Sequence, residues 1–325
     1  MVLQVPAGAE PGKKVMSTRV FRFPQLPLVL LPLLAACAGA PGSSDGGDGD
    51  AGPDERLTPY QCLVSTDCPR RLVAAHRGDH HQYPENSLAA IRAAAELGAD
   101  FVEVDVRHTA DDRLVLMHDD SVDRTTDGSG AVVELTLQQL QQLQLEGGTP
   151  GDPESSQVPT FPAALELARQ LGIMLYVDQK TERWELVLAA IQAGGYHHTA
   201  LVRDPIDTVA AMAERDGELL VMPPCDDLSQ LGQFQQRLPR LLIVELAGTP
   251  ASDTVAAFHQ AGVKVQMDAM ALGDSKALVG DYTGWRDFVQ AGVDLIQTDF
   301  AHLFVPALRQ WEETGVFPAE GPPAL

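Results

Sequence analysis

Short runs rich in Val, Leu and Ile recur from Arg71 onward, separated by longer stretches in which apolar residues return every three or four positions. Runs of this length, bounded by Gly, Pro, Asp or Asn, read as strands, and the stretches between them read as amphipathic helices. The candidate strands are RLVAAH, FVEVDVR, IMLYVDQ, TALVRD, LLVMPP, LLIVELA, VKVQMDA and LIQTD. Two of the helices have legible ends. NSLAAIRAAAELG has Asn86 or Ser87 as N-cap and Gly98 as its stop, and SDTVAAFHQAG repeats the arrangement from Ser252 to Gly262. Eight strand-then-helix units in about 250 residues predict an α/β fold, a (β/α)8 TIM barrel. A further run, LVLMHDD, follows the second strand too closely for a crossover helix, so it is expected as a hairpin excursion after that strand.

The two ends follow different rules. Lys13, Lys14, Arg19 and Arg22 precede the apolar run LPLVLLPLLAA, which is too short and too broken by proline for a membrane span and suits the core of an export signal. Its ending, LAAC, resembles the lipobox of bacterial lipoproteins, which implies a lipidated Cys37 and a protein held in the cell envelope, periplasmic or outer-membrane-associated. An ordinary cleavage at AGA beside an incidental Cys37 is the other reading. The next stretch, AGAPGSSDGGDGDAGPDE, is nearly free of apolar side chains and predicts a flexible tether. The expected divisions are a signal with its cysteine at 1–37, a tether at 38–56, the barrel at 57–315 and an irregular tail at 316–325.

A formal charge of −22 offers no basic stripe to a phosphate backbone and argues against nucleic acid as a partner. Export also changes the reading of the cysteines: Cys62 and Cys68, in CLVSTDC, are expected to form a disulfide, and Cys225 a buried thiol.

In FVEVDVR, Glu103 and Asp105 are two apart, so a strand turns both to one face and Val102, Val104 and Val106 to the other. Two carboxylates forced together need a cation or a shared proton. Asp178 and Lys180 share a face in the same way at the end of the next barrel strand, where they either pair with each other or serve the site. With Asp178 the site gains a third carboxylate, which suits one hard, oxygen-seeking cation, Mg2+ or Ca2+. His76 ends the first strand and His118 ends the hairpin, two imidazoles able to give and take a proton near neutral pH. Arg77 and Lys180 are then the candidates for holding phosphate oxygens. His80 and His81 read as loop residues without a chemical step, and Glu85 with Asn86 as the start of the first helix.

These residues carry a family likeness. HRG at 76–78, PENS at 84–87, GADFVEVDVR at 98–107, LVLMHDDSVDRTTDGSG at 114–130, VPTFPAALELA, LYVDQK and GVDLIQTD at 292–299 resemble the glycerophosphodiester phosphodiesterases. The resemblance implies the barrel already counted and hydrolysis of a small-molecule or lipid phosphodiester. It places His76 and His118 as the acid/base pair, Arg77 and Lys180 on the phosphate, and Glu103, Asp105 and Asp178 on the metal. The chain departs from the family at three places. Asp178 stands where glutamate is usual, as in the related sphingomyelinase D-like enzymes. ALVRD replaces a Ser-Phe pair, and VQMDAM replaces a Trp-Thr pair. All three fall where the substrate's alcohols are read, so a lysophospholipase D or sphingomyelinase D-like activity is the alternative, and a catalytically inactive binding barrel is a further one.

Overall fold

Strands and helices alternate through residues 57–324, the part of the chain described by the computed structural model. The expected signal, Cys37, the tether at 38–56 and the last residue lie outside the described residues. The strands are β1 Leu72–Ala75, β2 Phe101–His108, β3 Leu114–Leu116, β4 Met174–Gln179, β5 Ala200–Arg203, β6 Leu220–Met222, β7 Pro224–Cys225, β8 Ile243–Leu246, β9 Lys264–Asp268 and β10 Leu295–Thr298. All eight expected runs are strands, and all but β3 pair in parallel, in the order β6-β5-β4-β2-β1-β10-β9-β8-β7. The run LLVMPP is divided between β6, which pairs with β5, and β7, which pairs with β8. Prolines 223 and 224 have no N–H to give, so this segment serves one neighbour with its first half and the other with its second. The two halves together fill the eighth place in a (β/α)8 barrel.

Alternation along each strand builds two separate cores. Residues such as Val102, Val104 and Val106 face outward and join the layer between sheet and helices, with Ile91, Phe161 and Leu165. Leu72, Ala74, Phe101, Met174, Leu201, Leu220, Ile243 and Leu295 fill the barrel interior toward the strands' N-terminal ends. The short helix Pro59–Val64 plugs that end with Cys62 and Leu63, both essentially inaccessible. Its start is fixed by a capping box between Thr58 and Gln61, and the Cys62–Cys68 disulfide ties its far end to the chain leading into β1. Cys225 is a free, buried thiol whose pKa is pushed up to about 11 by burial.

The first barrel helix, Leu88–Leu97, is capped by the Ser87 hydroxyl and stopped by Gly98 in the left-handed conformation. The helix Ser252–Gln260 lacks the expected side-chain cap: Ala251 occupies the cap position, and Ser252 is already helical. β3 lies antiparallel to β2, as expected of the hairpin. The excursion beyond it encloses a satellite core of Val115, Met117, Val122, Val132, Leu140, Leu145 and Val158. That core, which includes Met117, gives His118 a packed base. The segment after residue 315 has no regular element, yet it is docked. Phe317 is buried, and Gly321 and Ala324 donate N–H bonds to Gly280 and Ala277. No helix among the described residues is long and apolar enough to cross a membrane.

Candidate active site

On the inner face of the barrel seven of the eight strands change character toward their C-terminal ends. Leu72 and Ala74 lead to His76; Phe101 to Glu103 and Asp105; Met174 and Tyr176 to Asp178; Leu201 to Arg203; Ile243 to Glu245; Gln266 to Asp268; and Leu295 and Gln297 to Asp299. A side-chain period of two puts these polar ends into one layer at the mouth, where a TIM barrel carries its chemistry. All of them but Asp299 line a cavity of about 140 Å³ whose walls include all seven residues singled out in the sequence: His76, Arg77, Glu103, Asp105, His118, Asp178 and Lys180.

Each imidazole is held by a carboxylate on Nδ1. His76 Nδ1 lies 2.7 Å from Asp299 Oδ1, and its Nε2 lies 3.9 Å from Glu103 Oε2. His118 Nδ1 lies 2.7 Å from Asp119 Oδ1. Burial opposes ionisation of Asp299, but hydrogen bonds from His76 and His80 outweigh it and hold the carboxyl well below the usual range. Asp119 is held low by Arg124 first and His118 second. The buried Asp274 accepts from the backbone N–H of Asp299 and from Thr298 and Trp285, fixing the loop on which the His76 partner sits.

Glu103 and Asp105 are 2% and 1% exposed, and with Asp178 they bring one carboxylate oxygen each to within 4.8 Å of one another. Burial, then the charges of Asp105 and Asp178, push the Glu103 carboxyl well above its ordinary value. Partial compensation comes from Lys180, 2.5 Å from Asp178 and 3.5 Å from Asp105, and from Arg77, whose Nε is 3.4 Å from Asp105. The Asp178–Lys180 pair is therefore made, and it sits inside the site. A cluster of buried, all-oxygen donors with a surplus of negative charge fits a hard divalent cation, and it is able to hold one.

This surplus has a measurable consequence for the metal-free protein. Because folded Glu103 keeps its proton to higher pH than the unfolded chain does, stability is lost as pH climbs above the ordinary glutamate range near 4.3, at up to about 1.4 kcal/mol per pH unit. Added divalent cation is expected to raise Tm more at pH 8 than at pH 5, as thermal melts in chelator and in metal will show; an equal gain at both would remove Glu103 from the metal cluster.

The PENS segment does more than begin a helix. Asn86, at a left-handed φ of 59°, donates from Nδ2 to Asp105 Oδ2 at 2.8 Å and accepts from the Asp105 N–H at 3.0 Å. The helix cap is Ser87, one of the two residues expected there, while Asn86 and Glu85 are bonded to site residues, Asn86 to Asp105 and Glu85 to Arg77. Arg77 also has a left-handed φ, 55°, which turns its N–H onto Glu103 Oε2 at 3.0 Å. Gly78 follows at φ 84°, and a Cβ there would come within 2.7 Å of the Ala90 backbone, so this tight approach of loop to helix requires glycine.

Glu85 accepts from Arg77 Nη1 at 3.0 Å and from both terminal nitrogens of Arg124 at 2.8 Å, while Arg124 Nε donates to Asp119 at 2.7 Å. One guanidinium thus joins the His118 loop to the Arg77 loop. Arg124→Ala is expected to lower kcat/KM by about 10-fold, the scale of one or two charge-assisted hydrogen bonds, with little change in Tm because the side chain is exposed. Arg124→Lys should not restore the rate, since an ammonium cannot form both forked pairs. Steady-state kinetics and a melt on the same samples decide it.

Arg203, Glu245, Asp268 and Asp299 escaped the reading of the sequence, although the two-residue arithmetic applied to Glu103 and Asp105 would have found them in VRD, VEL, QMD and QTD. Arg203 Nε donates to Glu245 at 2.5 Å and its Nη1 lies 3.5 Å from Asp178, which brings a third cation to the pocket. His80, read as a plain loop residue, shares Asp299 with His76 at 3.1 Å, and that hydrogen bond raises its pKa.

Known proteins place this architecture. A glycerophosphodiester phosphodiesterase of Caldanaerobacter subterraneus is 38% identical over 112 residues, 34% of this chain and 46% of that protein. The chain's matches span less than half the length of this relative and of its mammalian counterparts. The crystal structure of glycerophosphodiester phosphodiesterase from Agrobacterium tumefaciens superposes with a TM-score of 0.60 at 25% identity, over 73% of this chain and 99% of that one. An Oleispira antarctica phosphodiesterase, in complex with the product sn-glycerol-3-phosphate, shares the fold with a TM-score of 0.60 at 23% identity, over 74% of this chain and 97% of that one. The sequence profile of the glycerophosphoryl diester phosphodiesterase family runs through residues 76–279, taking in both imidazoles, the three clustered carboxylates and most of the barrel, and this chain belongs to that family.

Proposed function

We propose that this chain hydrolyses glycerophosphodiesters to an alcohol and glycerol phosphate, a reaction dependent on one divalent cation, Mg2+ or Ca2+. The observation that carries this reading is the convergence of two Asp-anchored imidazoles on one pocket with three carboxylates, in a chain of this family. The sn-glycerol-3-phosphate held by the Oleispira protein is the product such a reaction gives.

In this mechanism His76 and His118 divide the proton work. An aspartate on each Nδ1 leaves Nε2 to face the substrate. One imidazole removes the proton from the incoming hydroxyl nucleophile, and the other, protonated, donates to the departing alkoxide. Arg77 and Lys180 bind the phosphate oxygens and stabilise the charge added in the transition state. Glu103, Asp105 and Asp178 hold the cation, which when bound neutralises phosphoryl oxygens.

Export completes the reading, with Cys37 lipidated and the barrel held in the periplasm or at the outer membrane of a bacterial envelope. LAAC and the Cys62–Cys68 disulfide support it. Mass spectrometry of the mature N-terminus tests this part, and an unmodified start at another residue would overturn it. The activity is tested by incubating the protein with glycerophosphocholine, glycerophosphoethanolamine and glycerophosphoglycerol, with Mg2+, Ca2+ or chelator, and identifying products by mass. Release of glycerol phosphate that chelator abolishes supports the reading; turnover of none of them, or turnover indifferent to chelator, defeats it.

A further inference from the structure

Asp299 serves two imidazoles at once. Its Oδ1 lies 2.7 Å from His76 Nδ1 and 3.1 Å from His80 Nε2, and the three side chains bring one donor atom each to within 4.8 Å of one another. The other imidazole has no such neighbour: Asp119 is divided between His118 and Arg124, and a guanidinium has no lone pair for a cation. The proton transfers assigned to His76 call for Asp299 but not for a second ring upon it. The chain nevertheless holds all three donors in place. His76 donates its N–H to the Thr298 carbonyl at 3.1 Å, and after the turn at Gly78 the N–H of His80 donates back to the Gly78 carbonyl at 3.0 Å, which sets the two rings nearly perpendicular with centroids 6.4 Å apart. Asp299 is fixed through its own N–H by Asp274.

This donor set differs in kind from the carboxylate cluster. Two imidazole nitrogens and one carboxylate oxygen suit Zn2+ and its first-row neighbours, whereas Glu103, Asp105 and Asp178 offer only oxygen and suit a hard ion. Tetrahedral zinc with ligands at about 2.0–2.1 Å needs donor atoms roughly 3.3 Å apart, so the observed 2.7 and 3.1 Å have to open by only about 0.6 and 0.2 Å. The side chains of His76, His80 and Asp299 are 17%, 29% and 31% exposed, which lets an ion enter and leaves room for water to complete its shell.

We propose that His76, His80 and Asp299 form a second cation site, one that takes Zn2+ and shuts the enzyme off. The effect on turnover rests on the phosphodiesterase reading above; the site itself does not. Coordination uses the lone pair of His76 Nδ1, so the single proton of the neutral ring moves to Nε2, the nitrogen that faces the substrate. In that form Nε2 has no lone pair to accept a proton, and as a neutral N–H it is a far weaker acid than an imidazolium. The ion also takes Asp299 out of its hydrogen bond with the ring. His76 is withdrawn from acid/base work while the three carboxylates keep their own cation.

The test titrates Zn2+ into protein turning over glycerophosphocholine in saturating Mg2+ or Ca2+, and in parallel follows Co2+, whose ligand-field absorption reports an imidazole site without any turnover. Saturating Zn2+ should lower the wild-type rate by about 100-fold or more, the scale of a lost acid or base, and further Mg2+ or Ca2+ should not restore it. His80→Ala should raise the zinc concentration for half-inhibition by about 100-fold or more, each rate taken against that variant's own zinc-free rate, and should remove the Co2+ bands. His80→Gln, which keeps a donor for Asp299 but is a poor zinc ligand, should behave as His80→Ala does; if it kept the wild-type response, His80 would act by holding Asp299 and the site would fall. His81→Ala should respond as wild type. Inhibition that excess Mg2+ reverses and His80→Ala leaves in place puts zinc among the carboxylates and overturns the inference, as does a response lost in His81→Ala and kept in His80→Ala. If glycerophosphocholine is not hydrolysed even without zinc, the phosphodiesterase reading fails by itself, and the Co2+ bands decide the site: their loss in His80→Ala and His80→Gln upholds it, their persistence removes it.

Discussion

His76→Ala and His118→Ala are each expected to lower kcat by about 100-fold or more, the usual scale for a lost general acid or base, with metal affinity nearly unchanged. The two imidazoles stand on different elements, one at the end of β1 and the other on the excursion after β3, and each has its own carboxylate on Nδ1, so neither deletion should remove the other's partner. Neither is among the three clustered carboxylates, which is why metal affinity should persist. Asp299→Asn and Asp119→Asn sharpen the expectation. Each leaves the imidazole in place but replaces its Nδ1 acceptor by an amide, so kcat should fall and the pH profile should shift on the limb belonging to that histidine. His81→Ala, on a ring that stacks on His80, meets His302 edge-on and touches neither catalytic imidazole in the contacts of the site, should keep the parental rate. Parental turnover by the His76→Ala or the His118→Ala protein would remove that residue from the acid/base pair.

Glu103→Gln should change metal affinity and metal-free stability in opposite directions. The amide keeps an acceptor for the Arg77 N–H and nearly the same volume, but it removes one of three charges from the cluster. Metal affinity should fall by at least the 10- to 100-fold seen when even an outer partner of a metal ligand is lost, as calorimetry will measure. In chelator at pH 8 the same variant should melt higher than wild type, by about 2 °C or more, because the cost of burying the Glu103 charge, and then its repulsion by Asp105 and Asp178, is gone. A residue with a purely structural role would lose stability under both conditions. A variant that bound metal as wild type does would place the cation elsewhere.

Much of this is legible in the sequence. Strands covered on both faces must be short and apolar, helices between them must carry one apolar stripe, and both signals survive in a single sequence; all eight barrel strands and the β3 hairpin follow from them. Glu103 and Asp105 stood out for a related reason, since carboxylates in the middle of a Val-rich strand contradict the burial of their neighbours. His76, Arg77, His118, Asp178 and Lys180 were found through motifs, and the fold brings all of them into one cavity.

What stayed hidden are the partners. Arg203, Glu245, Asp268 and Asp299 each look like an ordinary polar residue closing a short strand, and nothing local says that four strand ends from different parts of the chain meet. Asp299 is 223 residues from His76, and Arg203 is 42 from Glu245. Hydrogen bonds across such separations are made by closure of the barrel. The role of Asn86 was hidden in the same way, because Asn before Ser at a helix start reads as a cap until Asp105 is seen beside it. By itself the sequence determined which residues alternate, which face water and which chemistry is available, because these depend on periodicity and side-chain type. Only the tertiary structure decided which carboxylate holds which imidazole and which cation neutralises which anion, because each depends on distances set by the barrel.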